Sequence, residues 1–175
     1  MKNTGKGGKL SGCITTIQFN IMTINGAHWH LLVNHLPIIG GLLATLVLGY
    51  GLFRRNQSIV QLSFGLFVLM SLATAVTNQT GESAEHYLES INALDKVIFR
   101  QHEEAADWAN IGMYLTGGLS LLALVWKRAK QWQFLPTVIF VTSLITFGLM
   151  ANVGRLGGLI MGVLLPTGHF YTLSN

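Results

Sequence analysis

The chain has 175 residues, of which half are hydrophobic and only a tenth charged, with a formal net charge of +4. That balance, with a positive mean hydropathy, marks an integral membrane protein rather than a soluble domain. A pI near 9.5 would suit a nucleic-acid partner, but the positive charge is spread over a tail and two short loops with no basic face between aromatics, which argues against one.

Residues 1–27 read as an N-terminal tail. Leu10-Ser11-Gly12-Cys13 spells a lipoprotein cleavage box, yet no apolar region precedes it to engage a translocon, so Cys13 reads as an incidental free thiol. Met22 is an alternative start. The chain has one cysteine, which leaves no intramolecular disulfide, no CxxC redox centre and no CxxCH attachment. Any haem must therefore be held without thioether bonds.

Four uncharged apolar stretches follow, at 31–53, 59–77, 108–126 and 134–153. Each is near or above the roughly 20 residues an α-helix needs to cross a hydrocarbon core. They predict an all-α antiparallel four-helix transmembrane bundle over 28–165, running up-down-up-down, with a C-terminal tail at 166–175. A fifth apolar piece, 156–165, is too short to cross alone. It reads as an extension of the fourth helix or an interfacial segment, stopped by Pro166.

Arg54 and Arg55 join the first two stretches, and Lys127, Arg128 and Lys130 join the last two. Short basic loops stay cytoplasmic. The expected location is thus a bacterial inner membrane with both termini and the 78–107 loop extracytoplasmic; Lys2, Lys6 and Lys9 weigh weakly against this because they lie far from the first span. All six histidines and all seven acidic residues then fall on one side.

Three constellations carry chemistry. In the first, Gly26 to Pro37, Asn34 is a competent N-cap and Pro37 is tolerated in a first helical turn, which places His35 at the mouth of the first span. A helix starting near His28 would put His28 and His35 on one face. His28 and His30, flanking Trp29, read more readily as interfacial anchors.

In the second, Gly81 reads as the C-cap of the second span. Glu82, Glu85, His86 and Glu89 then recur at helical spacing along one stripe of an amphipathic cap helix. The stripe is either a solvated face or half a metal site; Glu85 can orient the His86 ring through its second nitrogen.

In the third, His102-Glu103-Glu104 opens the third span, and His102 shares a face with Ala105, Ala106, Ala109, Gly112 and Thr116. Such small residues allow close helix approach or room for a flat ligand. His35 and His102 at matching depth are a candidate pair of haem axial ligands, with Arg155 or Arg100 placed for propionates or for Glu85 and Glu103.

Val33-Asn34-His35-Leu36-Pro37, Gly81-x-x-Ala84, His102-Glu103 and Gly157-Gly158 together resemble an uncharacterised bacterial family of four-span inner-membrane proteins, defined as a domain of unknown function. The likeness runs from about Ala27 to Gly158. It implies the four-span topology and points to His35 and His102 as the characteristic histidines. It implies no activity. The family usually continues past the Gly-Gly pair with polar residues and a histidine, whereas this chain runs through Leu159 to Leu165 before His169.

The expected function is an electron-transfer subunit binding b-type haem near the extracytoplasmic face through His35, His102, His86 and Arg155. The alternatives are a non-haem Fe, Cu or Zn site built from His35, His86, His102, Glu85 and Glu103, and an accessory subunit without cofactor. The lipid bilayer and other membrane subunits of a respiratory or related complex are the expected partners, with Gly40, Gly41, Gly117 and Gly118 as close-packing points. No nucleophilic triad, phosphate loop or deaminase pattern appears, so catalysis by this chain alone is not expected.

Overall fold

Each apolar stretch becomes one long helix: α1 Gly26–Phe53, α2 Gln57–Ser90, α3 Lys96–Val125 and α4 Leu135–Leu164, in a computed structural model that describes residues 26–90, 96–126 and 134–164. All four are long and apolar enough to cross a membrane, and no strand occurs among the described residues. The fold is an all-α, multi-pass four-helix bundle. α1 packs on α2, α2 on α3, α3 on α4 and α4 on α1, so α1 and α3 form one diagonal and α2 and α4 the other. The N-terminal tail with Cys13 and Met22, Asp95, the loop with Lys127, Arg128 and Lys130, and the segment with Pro166 and His169 lie outside the described residues, as does the His28 side chain.

The turn between α1 and α2 is built from local hydrogen bonds. Asn56 N–H donates to the Gly51 carbonyl at 2.9 Å and Arg55 N–H to the Leu52 carbonyl at 3.1 Å, with Arg55 at φ 50°, the left-handed stop that ends many helices. Asn56 then caps α2, its Oδ1 accepting from the backbone N–H groups of Ser58 at 3.0 Å and Ile59 at 3.3 Å. Asn56→Ala is expected to destabilise the bundle by about 1 kcal/mol, read as an earlier midpoint in a denaturing-detergent titration.

The helices outrun the apolar stretches, which changes three local expectations. α1 begins at Gly26, eight residues before Asn34, so Asn34 does not cap it and Pro37 is interior. Pro37 has no N–H for the Val33 carbonyl. The Thr77 hydroxyl of α2 takes over part of that role, shared between Val33 O at 3.5 Å and Ala73 O at 3.0 Å, as hydroxyls do for prolines inside membrane helices. α2 runs straight through Gly81 to Ser90, so Gly81 is no C-cap, and Glu82 to Glu89 extend α2 instead of forming a separate cap helix. At the far end, α4 absorbs the fifth apolar piece as far as Leu164.

The core has two layers. Ala44, Leu48, Val60, Phe64, Phe67, Ala123, Leu135 and Ile139 fill the half nearer the Arg54-Arg55 turn, and Met70, Ala109, Met113 and Met150 the half nearer His30 and His102. Between them lie buried hydroxyls that donate back to their own helices, including Thr45 to Gly41 O, Thr116 to Gly112 O and Ser120 to Thr116 O. A central cavity of about 10 Å³ beside Thr45, Thr116, Ser143 and Thr146 is the size of one water. The outer surface carries exposed Leu32, Leu46, Leu72, Leu115 and Ile145, as a lipid-facing surface does.

Three of the glycines expected to meet other subunits are used inside the bundle. A Cβ on Gly40 would run into Met70, one on Gly117 into Ser71, and one on Gly41 would lie 3.0 Å from Met113 Cε. Gly118 alone of the four has open space around it.

Candidate functional site: two histidines at one end of the bundle

α1 turns His30, not His35, toward its neighbours. The inward stripe of α1 passes through Leu48, Ala44, Gly41 and Pro37; continued at helical spacing it reaches Asn34 and then His30. His35 is five residues past His30, about 140° round the helix at 100° per residue. It is exposed, with Nδ1 donating to the Leu31 carbonyl of its own helix at 2.7 Å. On α3 the stripe through Ser120, Thr116, Met113 and Ala109 leads back to His102 in the same way.

His30 lies against α2. Its Nδ1 is 3.2 Å from the Thr77 carbonyl and 3.2 Å from Thr80 Oγ1, while the Thr80 hydroxyl itself donates to Thr77 O at 2.8 Å. A carbonyl can only accept, and the Thr80 proton is already committed, so Nδ1 carries the ring proton and Nε2 of the neutral ring carries the lone pair. The ring rests on Gly81, where a Cβ would lie 3.4 Å from His30 Cε1.

His102 lies against α4 in a matching way. Its ring rests on Gly157, a Cβ there falling 3.4 Å from Cε1, and the Val153 carbonyl acts on the ring. Its buried Nδ1 has no hydrogen bond of good geometry among the described residues. The two imidazoles, from diagonal helices, are near enough for the charge of one to act on the other. Asn34, one turn further in than His30, also holds a buried Oδ1 without a partner among the described residues.

The other expected site residues are spread around this pair. Glu85 is half-buried on the α2 extension, with His86 exposed beside it; Glu103 is exposed next to His102. Arg155 is exposed on α4 and donates from Nε and Nη2 to Asn152 Oδ1 at 3.3 and 3.0 Å. Arg100 pairs with Glu104 at 3.1 Å and not with Glu85 or Glu103. No three His, Cys, Asp or Glu side chains among the described residues come together as a metal-ion site. The non-haem set His35, His86, His102, Glu85 and Glu103 is therefore not gathered, and neither are His35 and His102.

The site thus offers two half-buried imidazoles, one with a fixed lone pair, and two glycine-floored contacts. Trp29 and Trp108 are exposed near the same end, as the residues of an aromatic belt are. No family model, curated protein or solved structure matches the chain.

Proposed function

We propose that the chain is a membrane electron carrier that holds one b-type haem between His30 and His102. The observation that carries this reading is the juxtaposition of those two imidazoles from diagonal helices, with no third ligand beside them. A bare zinc, copper or iron ion takes three or four protein ligands in most sites, and no such set gathers among the described residues. A haem iron brings four ligands of its own and needs only the two axial ones.

The residues present fit that group on three counts. His30 Nδ1–H is held by a backbone carbonyl, as ligating imidazoles commonly are, which leaves Nε2 as a donor. Gly81 and Gly157 let each ring pack directly on the neighbouring helix, an added Cβ lying 3.4 Å from Cε1 in both cases, which fixes the ring orientation. The orphaned His102 Nδ1 belongs to a ring with the Val153 carbonyl alongside, the counterpart of the Thr77 carbonyl beside His30. When bound, the haem supplies one-electron redox chemistry. The chain orients both rings, holds the His30 Nδ1 proton on the Thr77 carbonyl, and excludes bulk water with the methionine layer of Met70, Met113 and Met150.

In this reading Arg54 and Arg55 face the cytoplasm of a bacterium, because short basic loops stay inside, and the histidine end is extracytoplasmic. Arg155 is at the histidine end, where it can meet a propionate. Other subunits of a respiratory or related complex approach along lipid-facing positions such as Gly65, Gly118 and Gly148, where nothing lies within 4 Å of an added Cβ.

The test is a reduced-minus-oxidised visible spectrum of protein purified in mild detergent. A sharp α-band of low-spin bis-imidazole haem is expected. A featureless spectrum from folded protein purified with its native partners would exclude the haem reading and leave an accessory subunit.

A further inference from the structure

We infer that α1–α2 and α3–α4 are two copies of one helix hairpin related by a pseudo-two-fold axis along the bundle, and that the ligand site lies on that axis with His30 and His102 in equivalent roles. The ligand class is a planar metal complex with one free coordination position on each face. The repeat stands on geometry alone; the ligand class rests on the haem reading above.

The first line of support is register. α1 buries Pro37, Gly41, Ala44, Thr45, Leu48 and Gly51. Adding 72 to each number gives 109, 113, 116, 117, 120 and 123, which are the six buried positions of α3. The same offset takes His30 to His102. On the even-numbered helices the offset is 76 and the match is partial: buried Ser63, Phe67, Met70 and Thr74 of α2 correspond to buried positions 139, 143, 146 and 150 of α4, while buried Val60, Phe64, Ala73 and Ala84 correspond to half-buried positions 136, 140, 149 and 160.

The second line is that contacts repeat under both offsets at once. Gly40 packs on Met70, and Gly112 packs on Thr146, where a Cβ would lie 2.7 Å from Oγ1. His30 rests on Gly81 and His102 on Gly157. The carbonyl beside His30 is that of Thr77 and the one beside His102 is that of Val153. Between hairpins, α4 meets α1 where a Cβ on Gly154 would lie 3.7 Å from Ile38 Cδ1, and α2 meets α3 at the equivalent positions, where Asn110 Nδ2 donates to Asn78 Oδ1 at 3.1 Å.

The third line places the axis. Residues exchanged by a two-fold rotation touch each other only on the axis, and Gly41 and Met113 are such a pair, 72 apart and in contact. Two histidines exchanged by that rotation must present the same atoms to anything lying between them. A ligand there has to offer two equivalent, opposed acceptors of a lone pair, and the trans axial positions of a planar metal complex have that symmetry. The equivalence also assigns the His102 ring: Nδ1–H toward the Val153 carbonyl and Nε2 toward the ligand, as His30 has toward Thr77.

The test uses the full-length chain labelled with ¹⁵N-histidine in detergent at mildly alkaline pH, where imidazoles are neutral. The His30 and His102 rings are identified by the signals lost in His30→Gln and His102→Gln. Both are expected in the Nδ1–H tautomer. One ring in the Nε2–H form with the other in the Nδ1–H form overturns the equivalence, and both in the Nε2–H form overturns the assignment of Nε2 to the ligand. Haem is then titrated into the wild type and three variants. Gly81→Leu and Gly157→Leu are each expected to weaken haem binding by a similar factor, about 10–100-fold as for other groups that orient ligands; Gly158→Leu, in open space, is not. A loss at one glycine only, with both variants keeping native ring signals, also overturns it. Matching Nδ1–H rings in a wild type that takes up no haem would refute the haem reading and leave the two-fold site standing.

Discussion

His30→Ala and His102→Ala are each expected to abolish haem retention, while His35→Ala retains it. The two rings are half-buried and turn inward from diagonal helices, each resting on a glycine of a neighbouring helix, and a haem with one axial imidazole removed loses both a coordinate bond and its fixed orientation. Substituting a group that merely orients a ligand costs about 10–100-fold in affinity, so removal of the ligand itself should exceed about 100-fold and leave no haem after purification. His35 is exposed and bonded to its own helix, so its loss should leave the spectrum unchanged. Absorbance per protein at the haem maximum, with size-exclusion profiles to confirm folding, reads all three. Haem retained at wild-type level in His30→Ala would dismiss the pair; haem lost in His35→Ala with His30→Ala unaffected would restore His35 as the ligand.

Gly117→Ala is expected to destabilise the bundle by about 1–3 kcal/mol, the range for overpacking a filled core. The added Cβ would strike Ser71 Cβ and sit 3.2 Å from the Phe67 carbonyl oxygen. Neither is the end of a flexible chain, so α2 and α3 must separate. Gly118, next in sequence, has nothing within 4 Å of the same atom, so Gly118→Ala should stay within about 1 kcal/mol of wild type, on the side that helix propensity favours. Unfolding midpoints in a denaturing-detergent series compare the two. Equal midpoints would mean the α2–α3 approach is looser than described. Gly112→Ala offers an intermediate case, because its neighbour Thr146 Oγ1 belongs to a side chain that can rotate.

The sequence carried most of the architecture and less of the site. The four helices were legible because each apolar run is long and free of charge, a signal that survives errors of several residues at either end. The ends were not legible. Asn34, Pro37 and Gly81 all have the chemistry of helix termini, yet all three are interior, because the helices continue past the apolar core and packing compensates each one: Thr77 serves the carbonyl that Pro37 frees, and the bare Cα of Gly81 receives the His30 ring. His102 was visible as a polar residue heading a small-residue face. His30 was masked by Trp29 and His28, which resemble an interfacial anchor, while His35 stood out beside Pro37. The inward stripe from Leu48 back through Gly41 and Pro37 was the signal that separates His30 from His35, since a helix turns 100° per residue whatever side chains it carries.

Composition and hydropathy by themselves determined a multi-pass, all-α bundle, because covering backbone amides in lipid leaves a chain this apolar few other folds. The single cysteine by itself leaves no intramolecular disulfide and no CxxCH motif. Which histidines turn inward, and the shared register of the two hairpins, only the tertiary structure decided. The repeat is nearly invisible in sequence because the two copies conserve positions rather than residues: Met70 and Thr146, Thr77 and Val153, Asn78 and Gly154 do the same geometric work with different side chains. Close approaches at Gly40 and Gly112 or Gly81 and Gly157 require only the absence of a side chain on one partner, so packing can hold a two-fold arrangement with different residues at equivalent positions.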